Sequence, residues 1–418
     1  MLQFRLLLTL LIAGVLTLPL QAATITVADA GADHTSIQAA MDAANNGDEI
    51  LVSPGTYLEN IDFNGKAITL RSASGDPADT IIDGGGNGSV VTCASGETSS
   101  TVLDGFTITN GSATYGGGMY NSISSPTVTN CTFSGNTATS RGGGMYNQLN
   151  SSPTVSHCIF SGNTASSGGG GMYNENGNPT VTNCTFSGNT ANAGGGMNNS
   201  ESSPTVSHCT FSGNTAGWGG VMYNRYSSPA VTNCVFTGNT SDYGGGGMRN
   251  TQNSSPTVTN CILWGDSPDE IDNSGGSTPT VRFSDLQGGL PANTIDGGGN
   301  IAVDPLFVDA DGSDNMAGTE DDNLRLLGGS PCIDAADTTA LPVGVFTDLD
   351  GNPRGLDYPL RVNTGIGVDT MSLAGTVYAD MGAYEFQADC GIPGDINCDG
   401  IVNLLDQALL ALHWLETN

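Results

Sequence analysis

The chain has 418 residues, 41 of them acidic against 10 basic, for a formal charge of −31. Nucleic-acid binding needs clusters of Lys and Arg, and the only lysine is Lys66, so a nucleic-acid partner is excluded and an anionic membrane surface is disfavoured. An all-α fold is excluded as well, because 61 positions are glycine and each costs about 1 kcal/mol in a helix interior.

In chain order, residues 1–23 read as a secretory signal: Arg5, an apolar run over 6–18, then small residues up to Ala23. The run is shorter than the roughly 20 residues of a membrane-spanning helix. No other segment could cross a bilayer, and the first cysteine is Cys93, which argues against a lipid anchor at the signal. The expectation is a secreted protein, extracellular or on the outer cell surface, with no transmembrane segment once the signal is removed. Residues 34–46 (HTSIQAAMDAANN) form the one good helix of this half, with Ile37, Ala40, Met41 and Ala44 on one face. Its predicted place is over the open end of the array that follows, where strand edges and apolar side chains would otherwise be exposed.

From Pro126 to Cys261 a single unit recurs, for example PTVTNCTFSGN followed by a glycine run and Met-Tyr-Asn. The cysteines at 131, 158, 184, 209, 234 and 261 are spaced 27, 26, 25, 25 and 27 residues apart, and the methionines at 119, 145, 172, 197, 222 and 248 keep step. Such units hold short β-type bursts separated by Gly and Asn, not apolar residues at helical spacing. A propeller blade needs about 40 residues or more, and the leucines of a leucine-rich repeat are missing. About 26 residues suit one coil of three short strands and three turns. Coils of that kind stack at the roughly 4.8 Å spacing of a parallel sheet, each covering the apolar face of its neighbour. The predicted fold is therefore an all-β parallel β-helix of about ten coils over residues 24–300.

Parity within the unit supports this. Val128 points inward and Thr129 outward; a left-handed Asn130, a conformation Asn tolerates better than most residues, then resets the alternation so that Cys131 and Phe133 face in. The equivalents of Asn130 are His157, Asn183, His208, Asn233 and Asn260, and side chains stacked there are expected to bond from coil to coil.

The repeat resembles that of bacterial polymorphic outer-membrane proteins, with FSGN at 133–136, 160–163, 186–189 and 211–214, and GGGM at 116–119, 142–145 and 194–197. The resemblance covers residues 110–265. It implies a right-handed, pectin-lyase-like β-helix and an adhesive surface role; the membrane-anchoring barrel of many such proteins is absent from the sequence. Residues 24–110 are similar to the first coils of bacterial right-handed β-helix proteins.

Composition changes toward the C-terminus. Residues 111–260 hold three acids and three arginines, whereas residues 261–418 hold 26 acids and four arginines. Residues 301–388, with TDLDGNPRG at 347–355 and DMGAYEF at 380–386, resemble the choice-of-anchor Q module, which implies surface sorting or anchoring. Residues 389–418 are similar to one dockerin type I repeat. Asp395, Asn397, Asp399, Gly400, Asn403 and Asp406 occupy positions 1, 3, 5, 6, 9 and 12 of an EF-hand-like loop. Alternate oxygen ligands converge on calcium there, Gly400 makes the turn, and Ile401 offers its carbonyl. Dockerins carry two such repeats and this chain shows one, so calcium binding is expected while tight docking to a cohesin-like partner is not.

The other reactive side chains have bland readings beside the functional ones. The cysteine column reads as buried thiols; stacked disulfides or a metal are the alternatives, and parallel side chains suit the S–S torsion poorly. Cys390 and Cys398 are a better disulfide pair. His157 and His208 are two coils apart, too far to share a metal. Tyr120, Tyr146, Tyr173 and Tyr223 form an outer stripe, interrupted by Asn198 and Arg249, that either stacks on itself or packs on sugar rings. Glu175 and Glu201, facing each other near Arg225, are the one charged cluster of the central coils, while Asp296, Asp304 and Asp309 read as turn or calcium-type residues. No catalytic residues are assigned. The functional expectation is an exported structural or adhesive β-helix with a calcium-binding C-terminus; the alternatives are a polysaccharide lyase or glycoside hydrolase on this fold, or a non-catalytic polysaccharide-binding module.

Overall fold

A computed structural model of the chain describes residues 22–28, 30–319, 321–341, 347–354, 364–369 and 376–386. Nearly all described strands fall into four parallel sheets of twelve, ten, nine and six strands that run the length of one solenoid. Each central coil contributes one strand to each sheet. The unit beginning at Thr127 makes Thr127–Thr129, Thr132–Ser134, Thr137–Arg141 and Met145–Gln148 in turn. A coil between Ser112 and Ser241 thus has four strands, one more than the spacing suggested. The extra face is built on Ala138, Ala165, Ala191 and Ala216, which are small and buried.

Register is kept residue for residue. Val128 pairs with Val155 and Phe133 with Phe160, and Met119 pairs with Met145. Asn130, His157, Asn183, His208, Asn233 and Asn260 all have φ between 51° and 55°. The left-handed turn therefore resets the alternation as the sequence requires, and Val128, Cys131 and Phe133 are all buried. Along the column, Phe133, Phe160, Phe186 and Phe211 stack with ring centroids 4.7 to 4.9 Å apart. One apolar interior runs from Val27 to Leu286.

The coil-to-coil amide bonding expected at the Asn130 position is discontinuous. Asn130 donates to Asp104 at 2.8 Å and Asn183 contacts the His157 ring at 3.1 Å, but the ring nitrogens of His208 have no hydrogen-bond partner. Two unbroken ladders lie elsewhere. Asn121, Asn147, Asn174, Asn199, Asn224, Asn250 and Asn273 are joined by amide-to-amide bonds of 2.8 to 2.9 Å. Asn136, Asn163, Asn189, Asn214 and Asn239 form the second, at 2.9 to 3.1 Å, and it ends on Asp266. Each amide of the second ladder also donates to a backbone carbonyl of the preceding coil, as Asn189 does to Phe160 at 2.8 Å. Turns that would bury unpaired backbone groups are satisfied in this way.

The front is covered by a helix, as expected, but it runs only over Ile37–Ala43. Ser36 caps its start, and His34 forms a bridge with Val27 instead of a helical turn. The Glu59 carboxylate accepts from the backbone of Ile37 and Gln38 at 2.9 and 3.0 Å. At the other end the Lys66 ammonium donates to the carbonyls of Met41, Asp42 and Ala44 at 2.7 to 2.9 Å. Acid at the N-terminus and base at the C-terminus complement the helix dipole.

The described residues between 302 and 386 pack side-on against the solenoid. Val235 and Ile262 sit in a strand position that Thr107, Thr132, Thr185 and Thr210 fill in earlier coils, as in the pairing of Val235 with Thr210. They are buried beneath Leu324, Cys332, Ile333, Ala336, Met381 and their neighbours. Asn260 joins the two parts, accepting from Asp337 N at 2.8 Å and donating to its carbonyl at 3.0 Å. The acids of this segment serve its own fold: Asp348 accepts from the backbone of Asp350, Asn352 and Glu385, and buried Arg354 pairs with Glu385 at 3.6 Å.

Cys93, the six column cysteines and Cys332 are free and buried. Burial pushes the Cys158 and Cys209 thiols well above the usual range, while at Cys184 and Cys234 burial is outweighed by hydrogen bonds from neighbouring thiols, which pull them down. All eight are shut away from solvent and pack as small apolar side chains. The expectation is that no thiol among these eight reacts in the native protein. In denaturant, eight should react if Cys390 and Cys398 are joined and ten if they are not; a reagent titrating several thiols in the native state would contradict the buried column.

Candidate functional site

The predicted calcium ligands Asp395, Asn397, Asp399, Ile401, Asn403 and Asp406, like Cys390 and Cys398, lie outside the described residues. Asp296 and Asp304 are turn residues: Asp296 accepts from Gly298 N and Asn300 Nδ2, both at 2.8 Å, and Asp304 from Leu306 N at 2.9 Å. Asp309 is exposed at the end of the strand Phe307–Asp309. Among the described residues no group of three or more His, Cys, Asp or Glu side chains is placed to hold a metal.

The tyrosine stripe forms, and it is largely covered. Tyr120 pairs in register with Tyr146, and Tyr146 with Tyr173, their rings 6.0 and 5.6 Å apart. Tyr115 stacks on Tyr146 from the adjoining face at 5.1 Å. Tyr146 and Tyr173 are buried, which favours mutual stacking over sugar contact; only Tyr115 of this group is well exposed.

The proposed grouping of Glu175, Glu201 and Arg225 does not form. In the register, Glu175 lies opposite Ser200, and Ser200 opposite Arg225. Glu175 instead reaches the other way, pairing with Arg141 at 2.8 Å and accepting from the Tyr146 hydroxyl. The reason is the left-handed turn at Glu201 (φ 52°), which takes that residue off the strand face and leaves it exposed. Arg225 lies over the Tyr226 ring, 5.0 Å from its centroid. Burial first, then the Glu175 hydrogen bond, pushes the Tyr146 hydroxyl far above its ordinary value, so it stays protonated. His208 is buried, and burial together with Arg354 pushes it down to about 2; it is neutral and packs as a turn residue.

A second cluster went unremarked in the sequence. Leu263-Trp264-Gly265-Asp266 stands one coil after Phe236-Thr237-Gly238-Asn239, so Asp266 takes the ladder position that asparagine fills in the five preceding coils, from Asn136 to Asn239. Its Oδ1 accepts from Asn239 N and Nδ2, both at 2.8 Å. Four residues on, Glu270 Oε1 accepts from Asp266 N at 3.3 Å. The two remaining oxygens, Asp266 Oδ2 and Glu270 Oε2, are buried with no hydrogen-bond partner. Both residues line a cavity of about 430 Å³ walled by Pro268, Ile271, Leu290 and Pro291. Burial, opposed by hydrogen bonds from Glu270 and Asn239, raises Asp266 to about 6. Burial and then the Asp266 charge raise Glu270 to about 10. The pair holds one proton at neutral pH, the behaviour of like charges forced together out of water. The signal was in the sequence as an Asn-to-Asp exchange in the repeat, but it counts only once the ladder is known to be internal.

No protein of curated function matches the sequence. Among solved structures, the pectate lyase Pel9A is similar over 87% of this chain and 96% of its own, at 15% identity and a TM-score of 0.45. A pectin methylesterase from carrot is similar over 68% and 88%, at 13% identity and a TM-score of 0.39. A mannuronic acid specific polysaccharide family 6 lyase from human gut microbiota is similar over 65% and 66%, at 14% identity and a TM-score of 0.31. The family described as the right handed beta helix region matches residues 59–217 and 154–286, together more than half of the chain. With that match over the coils whose register is given above, the chain belongs to the right-handed β-helix family.

Proposed function

We propose that the protein is an exported scaffold, structural or adhesive, working at the outer cell surface or in the extracellular medium. In this reading the 1–23 segment is its secretion signal, residues 301–388 an anchoring module, and residues 395–406 a calcium loop. The observation that carries the proposal is that the repeat spends its polar chemistry on itself. The asparagines bond from coil to coil, Glu175 neutralises Arg141 and accepts from the Tyr146 hydroxyl, and Lys66 is held by helix carbonyls. One outward face is uncharged and regular: Thr137, Thr164, Thr190, Thr215 and Thr240 are exposed and in register on successive coils. Such a hydroxyl-rich face suits contact with a polysaccharide or another cell-surface component. A lyase or hydrolase would need free acidic and basic groups at one site. Inverting and retaining glycosidases hold their carboxyls about 5 Å or more apart with separate roles, whereas Asp266 and Glu270 are close enough to share a proton.

The test is incubation of the full chain with a panel of polysaccharides, with and without calcium. Retention on at least one polysaccharide or on whole cells, without release of unsaturated or reducing ends, is expected. Catalytic product release would overturn the scaffold reading. Calorimetric titration with calcium should show one binding event that D395A together with D399A removes; equal calcium heats from the parent and the double variant would reject the calcium loop.

A further inference from the structure

We infer that Asp266 and Glu270 form a binding site for a hard divalent cation, separate from the 395–406 loop, at the point where the second asparagine ladder ends. The argument rests on where the free oxygens are. Asp266 is 7% exposed and Glu270 6%, yet apart from the one proton the pair shares, Asp266 Oδ2 and Glu270 Oε2 have no hydrogen-bond donor from the rest of the protein. Leaving such groups unpaired in the interior is costly. Every earlier rung of the ladder avoids that cost with an amide, which donates to the carbonyl behind it and accepts from the rung before. Asp266 has the accepting half of this pattern alone, and Glu270 adds a second carboxylate beside it.

No side-chain cation satisfies them. Arg249, on the strand paired with Ile271–Asn273, is engaged by Asp272, and Asp269 accepts from Gly245 N at 2.6 Å. The donors are oxygen only, with no imidazole or thiolate in the cavity wall. That excludes the preferred environment of zinc or copper and suits magnesium, calcium or manganese. Two carboxylates cannot fill six positions, but a magnesium-type ion keeps several of its waters and is held by one or two carboxylates. The adjoining cavity of about 430 Å³ has room for that water shell. Bound there, the ion would neutralise the buried charge and tie the 266–270 loop to the last coils.

The experiment uses the full chain carrying D395A and D399A, so that the calcium loop is silent whatever its own fate. Manganese binding is counted by electron paramagnetic resonance of the free ion, in this protein and in the same protein with E270Q added, and again with D266N. The expected result is one fewer bound manganese in each variant, or a weakening beyond the roughly 10- to 100-fold that loss of an outer-shell partner costs. Magnesium should compete for that manganese and should raise the thermal midpoint of the parent but not of E270Q. Circular dichroism and the thermal midpoint of E270Q without metal establish that the variant is folded. Equal manganese counts and affinities in parent and E270Q would overturn the inference, as would a parent that binds no manganese.

Discussion

Asn189→Leu is expected to destabilise the central coils by about 4 kcal/mol, with Thr190→Val next to it changing stability by less than about 0.5 kcal/mol. Asn189 Oδ1 accepts from the backbone N and the Nδ2 of Asn163, both at 3.0 Å. Its own Nδ2 donates to Phe160 O at 2.8 Å and to Asn214 Oδ1 at 3.0 Å. Leucine is close in size and more apolar, so a simple burial argument would predict a gain. The hydrogen bonds decide the sign: two donors on one side and two acceptors on the other lose a partner where water cannot replace it, at roughly 1–3 kcal/mol each, partly offset by the buried methyl groups. The effect should stay local, because a solenoid is held by nearest-neighbour contacts. Hydrogen exchange at the amides of Asn163 and Phe186 should accelerate far more than at Ile50 or Leu70. Equal stability of Asn189→Leu and the parent would show that the ladder is not a stabilising element.

Glu270→Gln is expected to stabilise the metal-free protein by about 2 kcal/mol at pH 9 and by little at pH 4. An unfolded chain releases the protons of Asp266 and Glu270 near pH 4, whereas the folded pair keeps them until about 6 and about 10. Between those limits the folded state binds more protons than the unfolded one. The stability contributed by the pair is therefore full below pH 4, falls as pH rises, and levels off above about 10. An amide at 270 removes the like-charge repulsion and gives Asp266 Oδ2 a donor. Denaturant unfolding in chelator at pH 5, 7 and 9 would show the two curves diverging with pH. Parallel curves would mean that the carboxylates are hydrated and do not interact.

Much of this fold was legible because the repeat reports its own geometry. The 25- to 27-residue step of the cysteines set the coil, and the Asn or His before each cysteine marked a left-handed residue, which φ values near 53° bear out. The fourth strand was not legible: segments such as Thr164–Ala165 are two residues long and carry only alanine inward, so they lack the apolar burst that marks a strand. The ladders were hidden for a related reason. Asparagine after glycine reads as a turn former, and a buried amide declares itself only when the same atom of the next coil is 3 Å away. The helix ends were misplaced because Glu59 and Lys66, both on the coil it covers, decide where it starts and stops. Val235 and Ile262 stood out as apolar residues in a threonine row, but Ile159 does too and remains 43% exposed; only the path of the C-terminal segment distinguishes them.

Periodicity and parity by themselves determined that this chain winds into stacked parallel coils, because a two-residue alternation reset once per turn leaves one way to bury Val, Cys and Phe together. They also determined which residues stack, since register in a solenoid is a matter of counting. Tertiary structure alone decided which polar side chains turn inward, that Glu175 meets Arg141 and not Glu201, and that the last rung of a neutral ladder is a buried carboxylate beside another. Those outcomes depend on contacts one coil away and on which surfaces the C-terminal segment covers, and neither is encoded in the spacing of the repeat.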